Sequence, residues 1–141
     1  MEVDTRFGTL EIDPDTLIEF PRGLPGLEGL DRFKLLHEEG HPTLFWLQSV
    51  DDPAVQLTVA DPERFRVRYQ IALSDEEAAL LGLERPEDVQ ILVALYRSGE
   101  DTEAGPVRAN FLGPILINPG TRTGYQKLLN KVEGYVNIQA A

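Results

Sequence analysis

Two adjacent aspartates, Asp51 and Asp52, and two histidines four residues apart, His37 and His41, have the types and spacing that come nearest to chemistry. A carboxylate pair can divide acid and base roles. Pro53 follows this one, however, and aspartate before proline is turn chemistry: the carboxylates bond nearby backbone N–H groups and the proline presets φ. The histidines would share a face only on a helix, which Gly40 and Pro42 oppose, so they read as solvated loop residues. A zinc site needs a third ligand, and no H-E-x-x-H occurs. The chain has no cysteine, which excludes disulfides, thiol nucleophiles and thiolate metal sites. Ser49, Ser74 and Ser98 lie in no G-x-S-x-G elbow. Gly23, Gly26 and Gly29 do not form a phosphate cradle, because neither a dinucleotide fingerprint nor a Gly-Lys-Ser/Thr follows. No nucleophile, base and oxyanion site assembles, so these residues leave an enzyme open but unsupported, and no cofactor or metal is expected. The competing expectation is a small β-barrel hydrolase or ligand-binding protein using Asp51, Asp52 and His37.

The elements that position these residues are strands. Thr43 to Pro62 reads as a hairpin around Asp51-Asp52-Pro53, with apolar alternation on both arms and the only tryptophan, Trp46, expected to be buried. Val3 to Ile12 reads as a first strand kinked at Gly8, Thr16 to Phe20 as a second, and Arg32 to His37 as a third. Pro21 to Leu30 holds too much glycine and proline for a regular element and reads as an ordered loop. Glu63 to Phe65 is a single turn, and Val67 to Leu73 alternates as a further strand. Ser74 and Glu77 form a capping box for a helix from about Asp75 to Leu81, which Gly82 ends. So short a helix must pack on something else to persist. Val89 to Arg97 is apolar almost throughout and is expected to be buried on both sides or at a barrel seam. Ser98 to Gly105 reads as an acidic hairpin tip. Val107 to Leu112, Ile115 to Ile117, Tyr125 to Leu129 and Tyr135 to Ile138 complete eight to ten short strands. The expected fold is mainly β: a small antiparallel β-barrel-like domain with one short α-helix, a single unit over residues 1–141.

Charge bounds the partners. With 13 Lys+Arg against 24 Asp+Glu, the net charge is −11. Direct nucleic-acid binding needs a basic footprint, which this balance opposes, while it favours encounter with a basic protein. Acids scattered through the first twenty residues leave no signal-peptide core, and no run approaches the roughly 18 apolar residues of a membrane span. A cytoplasmic location without membrane contact is expected.

Several motifs then converge. Phe20-Pro21-x-Gly23-Leu24-Pro25-Gly26 resembles the opening signature of the FliW family of flagellar assembly factors, with Leu27 in place of its usual phenylalanine. Trp46-Leu47-Gln48-Ser49-Val50-Asp51-Asp52-Pro53 with Val59-Ala60-Asp61-Pro62 is similar to its second signature. Ala109 to Asn118, followed by Arg122, Gly124 and Gln126, is similar to its third. The likeness runs in order from Phe7 to Tyr135. It implies a small barrel-like binding protein that is not an enzyme, with two protein partners, flagellin and the RNA-binding translational repressor CsrA. In that family, flagellin holds the factor until flagellin is exported. The freed factor then binds CsrA, acting allosterically beside the RNA surface, and relieves repression of flagellin translation. On this footing Asp51, Asp52, Asp61, Glu63, Glu100, Asp101 and Glu103 are expected to include CsrA contacts, while most Gly and Pro of the signatures are expected to set the fold.

Overall fold

The computed structural model describes residues 1–5, 8–37, 39–40, 42–97 and 107–129. His41, the Ser98 to Gly105 tip with Glu100, Asp101 and Glu103, and the expected closing strand Tyr135 to Ile138 lie outside the described residues.

The strands are β1 (Glu2–Thr5), β2 (Gly8–Glu11), β3 (Ile18–Glu19), β4 (Arg32–His37), β5 (Leu44–Ser49), β6 (Gln56–Ala60), β7 (Gln90–Arg97), β8 (Val107–Ala109), β9 (Ile115–Asn118) and β10 (Thr123–Gln126), with the helix α1 (Asp75–Leu81) between β6 and β7. They pair in the order β6-β5-β4-β3-β10-β9-β7, and β7 returns to β6, which closes a barrel of seven strands. β8 attaches to the far end of β7. Closure removes the free edges that an open sheet would present. One contact departs from the antiparallel expectation: β3 meets β10 in parallel through Thr123 and Glu19. Seven strands cannot alternate in direction all the way round a closed ring, so one neighbouring pair must run parallel.

The barrel interior is built by alternation. Ile18, Phe33, Leu47, Val59, Leu92, Ile115 and Ile117 point inward with Phe20 and Leu24. β7 is buried on both faces, as its composition requires, with Leu92 and Val93 both at 0% exposure. It also bonds β6, β8 and β9, so it is the seam. The loop after β3 plugs the interior. Gly23 N–H donates to Phe20 C=O at 2.8 Å, Leu27 N–H to Leu24 C=O at 2.9 Å and Leu30 N–H to Leu27 C=O at 3.1 Å. In the last two turns, Gly26 and Gly29 take φ of 85° and 86°, the left-handed third position that glycine favours. Three successive turns thus bring Leu24, Leu27 and Leu30 onto the core.

Three sequence expectations change. Val3 to Ile12 is two strands, not one: Gly8, at φ 114°, stands opposite Thr5 and starts the return arm. Trp46 is only half-buried: its neighbours Phe45 and Leu47 pack on the core cluster, so its own side chain leaves the sheet on the other face. Val67 to Leu73 keeps the alternating exposure of a strand yet enters no ladder beyond an isolated bridge at Val67. β6 and β7, its neighbours in sequence, already bond each other on the adjoining side.

Candidate protein-binding surface

The hairpin turn after β5 is held by its own polar groups. Ser49 Oγ accepts from the N–H groups of Asp51 at 3.2 Å and Asp52 at 3.0 Å. Asp52 Oδ1 accepts from Ala54 N–H at 3.0 Å, and Asp51 Oδ1 takes Arg32 Nη2 at 2.7 Å. The hydrogen bond that Arg32 donates to Asp51, then the Asp51 charge, raises the Arg32 pKa. Beneath the turn, buried Gln48 donates to the C=O groups of Ser49 at 3.0 Å and Val55 at 3.2 Å and accepts from Gln56 Nε2 at 3.1 Å. Gln48 therefore finds its partners inside the hairpin and has no need of a ligand.

Asp61 and Glu63 sit at the other end of β6. Asp61 Oδ1 caps the 3-10 turn Pro62–Phe65 by accepting from Glu63 N–H at 2.9 Å. Both line an open groove of about 520 Å³ with Val67, Arg68, Tyr69, Val89, Gln90 and Ile91. The five residues of β6 hold the two aspartate groups roughly 17 Å apart. Among the described residues, these acids therefore form two separate sites at the two ends of β6. Asp51 is paired with Arg32, while Glu63 is exposed and has no ion-pair partner among the described residues.

The acid–base alternative loses its geometry. His37 pairs with Phe45, its ring 5.1 Å from the phenyl centroid, while Ser49, beside the aspartates, pairs with Phe33. His37 thus lies four strand positions, roughly 13 Å, from the turn that carries Asp51 and Asp52. Among the described residues no three His, Asp or Glu side chains gather as metal ligands.

A polar cluster that sequence reasoning missed joins α1 to β10. Glu77 is 8% exposed. Its Oε1 accepts from Ser74 N–H at 2.9 Å, completing the capping box, and both its oxygens take Lys127 Nζ, at 2.7 and 2.9 Å. Burial pushes the Glu77 pKa up, but hydrogen bonds from Lys127, Ser74 and Tyr125, with the Lys127 charge, outweigh it and bring the pKa down to about 2. Tyr125 is shifted up by burial and by Glu77, and the Arg22 guanidinium lies 5.5 Å from its ring centroid. The cluster ties the helix, the last barrel strand and the glycine-rich loop together. Its capping half was legible in sequence, but nothing local points to Lys127, fifty positions away.

Comparison with known proteins decides the family. The family model described as "FliW protein" matches residues 2–139. The chain belongs to the FliW family. A FliW relative from Azoarcus sp. (strain BH72), a flagellar assembly factor by name, is 45% identical over 129 residues, covering 89% of this chain and 88% of its own. The flagellar assembly factor FliW of Chromobacterium violaceum is 44% identical over 135 residues, covering 91% and 92%. A crystal structure of the flagellar assembly factor FliW superposes with a TM-score of 0.81 at 28% identity, covering 94% of this chain and 92% of that one.

The FliW signature residues hold the fold. A Cβ on Gly124 would lie 2.5 Å from Phe20 Cζ, so the first and third signatures meet where one ring packs on bare backbone. Asn118 Nδ2 donates to Leu81 C=O at 2.8 Å, and its Oδ1 accepts from Gly120 N–H at 3.0 Å, which ties the end of α1 to β9. Gln126 Nε2 donates to Gly113 C=O at 2.9 Å. No helix among the described residues is long and apolar enough to cross a membrane.

Proposed function

We propose that this chain is a flagellar assembly factor that binds flagellin and, when free of it, binds CsrA and antagonises it allosterically, coupling flagellin synthesis to export. The observation that carries this reading is the match, at 45% identity over most of both chains, to proteins named flagellar assembly factor FliW. The reading places the protein in the cytoplasm, where both partners are made, and has residues 1–141 act as one unit.

Physical chemistry supports the CsrA half. A repressor that holds RNA carries positive charge. A partner of net charge −11 approaches it quickly and lowers its RNA affinity through the field as well as by contact. We assign CsrA contacts among Asp51, Asp52, Asp61, Glu63, Glu100, Asp101 and Glu103. Within that set, Glu63 and Asp52 contribute more than Asp51, whose charge Arg32 already offsets.

The test is to titrate this protein with flagellin and with CsrA from the same source, singly and in competition, and to follow CsrA-bound RNA by gel shift. Binding of both proteins, with RNA released as the CsrA complex forms, supports the proposal. Absence of binding to either overturns it.

A further inference from the structure

Two described residues other than glycine take a left-handed φ, Arg66 at 59° and Arg122 at 55°. Arg66 ends the 3-10 turn Pro62–Phe65, and Arg122 stands in the turn between β9 and β10. At Arg122 the barrel itself imposes the conformation. The Arg122 N–H donates to Asn118 C=O at 2.8 Å, which tightens the turn, and its C=O accepts from Glu19 N–H at 3.0 Å across the parallel β3–β10 seam. The rest of the turn is fixed as well. Asn118 Oδ1 accepts from Gly120 N–H at 3.0 Å, and Thr121 Oγ1 donates to Leu81 C=O at 2.9 Å.

Glycine would meet these backbone demands with least strain, because a Cβ in the left-handed region crowds the following carbonyl. The fold gains nothing from the arginine in return. Its side chain is exposed and makes no ion pair, hydrogen bond or ring contact among the described residues. That stands out in a chain with 24 Asp+Glu against 13 Lys+Arg. Arg32 is answered by Asp51, Arg85 by Glu87 and Asp88, and Lys127 by Glu77. Even Glu19, whose N–H bonds the Arg122 carbonyl, forms no ion pair with the Arg122 guanidinium.

We propose that Arg122 is a specificity-determining contact residue, presented by the closed barrel so that its guanidinium takes a carboxylate of flagellin. A guanidinium offers two parallel N–H donors, the fork that a carboxylate matches. The partner follows from charge. Of the two proteins in the functional reading, the RNA-binding repressor is basic and is repelled by an exposed arginine. The carboxylate therefore belongs to the other. Because both backbone groups of Arg122 are already bonded, binding orders only its side chain. The left-handed backbone is then strain kept at a recognition site. The inference rests on the flagellar reading, and it adds one contact residue and the group that residue meets.

Strain and contact leave opposite marks on one substitution. Arg122→Gly relieves the left-handed conformation, offset in part by the freedom glycine adds to the unfolded chain. Arg122→Gln keeps the conformation and removes the charge. Thermal unfolding, and calorimetry against purified flagellin and CsrA at two salt concentrations, are measured for wild type and both variants. We expect Arg122→Gly to melt about 2–5 °C above wild type and to bind flagellin about fivefold to tenfold more weakly, with CsrA affinity unchanged or raised. Arg122→Gln is expected to lose the same binding with no rise in Tm. The salt dependence of flagellin affinity is expected to shrink in both variants.

Flagellin binding at wild-type strength in both variants overturns the contact and leaves the flagellar reading standing. Equal losses for flagellin and CsrA also overturn it, because a change of shape and not a lost carboxylate contact would act on both. No rise in Tm for Arg122→Gly removes the strain that singles this residue out and overturns the inference as well. Wild-type protein that binds no flagellin ends the flagellar reading and this inference together, a result visible before any variant is made. Self-association of wild type that Arg122→Gln abolishes would place the carboxylate on a second copy of this chain and overturn the assignment to flagellin.

Discussion

Glu77 and Lys127 are fifty positions apart in the chain and 2.7 Å apart in space. The Glu77 carboxylate caps the first turn of α1 with one oxygen and takes the Lys127 ammonium with both. The ionised form is therefore part of the fold. Its pKa is about 2 when folded and near 4.3 in an unfolded chain. A depressed folded pKa contributes stability that is fully present above the unfolded value and is lost as pH falls from there towards 2. The contribution is on the order of 1–2 kcal/mol once solvent access to Lys127 is allowed for. Urea unfolding from pH 7 to pH 2.5 checks this: wild type loses stability below pH 4.5, and Glu77→Gln shows a flatter profile from a lower start.

Phe20 and Gly124 predict a steric effect. Gly124→Ala places a methyl group against the Phe20 ring, which is fully buried and held edge-on to Phe33 at 5.5 Å. Overpacking of this kind costs about 1–3 kcal/mol. Thermal unfolding of Gly124→Ala, Phe20→Leu and the double variant forms a cycle, in which the double variant is expected to be more stable than the sum of the two losses.

Gly26 predicts a backbone effect of a different origin. No atom lies within 4 Å of a Cβ built there, yet its φ is 85°. Gly26→Ala is expected to cost about 1–2 kcal/mol through conformation alone. No second-site substitution in the surrounding side chains should rescue it, in contrast to Gly124→Ala, and denaturant midpoints for both series make the comparison.

Asn118, at the end of β9, holds the end of α1. Asn118→Leu leaves Leu81 C=O with only the Thr121 hydroxyl, at 2.9 Å, and removes the acceptor for Gly120 N–H. Loss of these buried partners costs about 1–3 kcal/mol. Hydrogen exchange should show α1 opening before the barrel strands in this variant.

For the acidic sites, reversal of Asp52, Asp61 and Glu63 to lysine together is expected to weaken CsrA binding at least tenfold at low salt. The loss should shrink as ionic strength rises, because exposed charges are screened over about 8–10 Å at physiological salt. An affinity that neither the reversal nor salt alters would remove the electrostatic account.

What the sequence disclosed was local. Ser74, Glu77 and Gly82 delimit α1 within seven residues, and the structure places the helix at Asp75–Leu81 with both halves of the box formed. Arg32–His37 is a strand end to end, and the apolar run of β7 becomes the seam. Failures came where the decision is tertiary. Alternation in Val67 to Leu73 reports which side chains face the protein, not whether another backbone lies alongside. Asp51 and Asp61 look alike in composition, but only the register of β6 sets them at opposite ends of a strand. Lys127 gives no sign in sequence that it answers Glu77.

The central claim is that this chain acts by binding protein partners, and calorimetry against purified flagellin and CsrA, singly and in competition, tests it most directly. The account predicts saturable binding of each, with CsrA affinity falling as salt rises and with prior flagellin binding reducing the CsrA heat. No heat with either partner, in a folded sample at low salt, would contradict it.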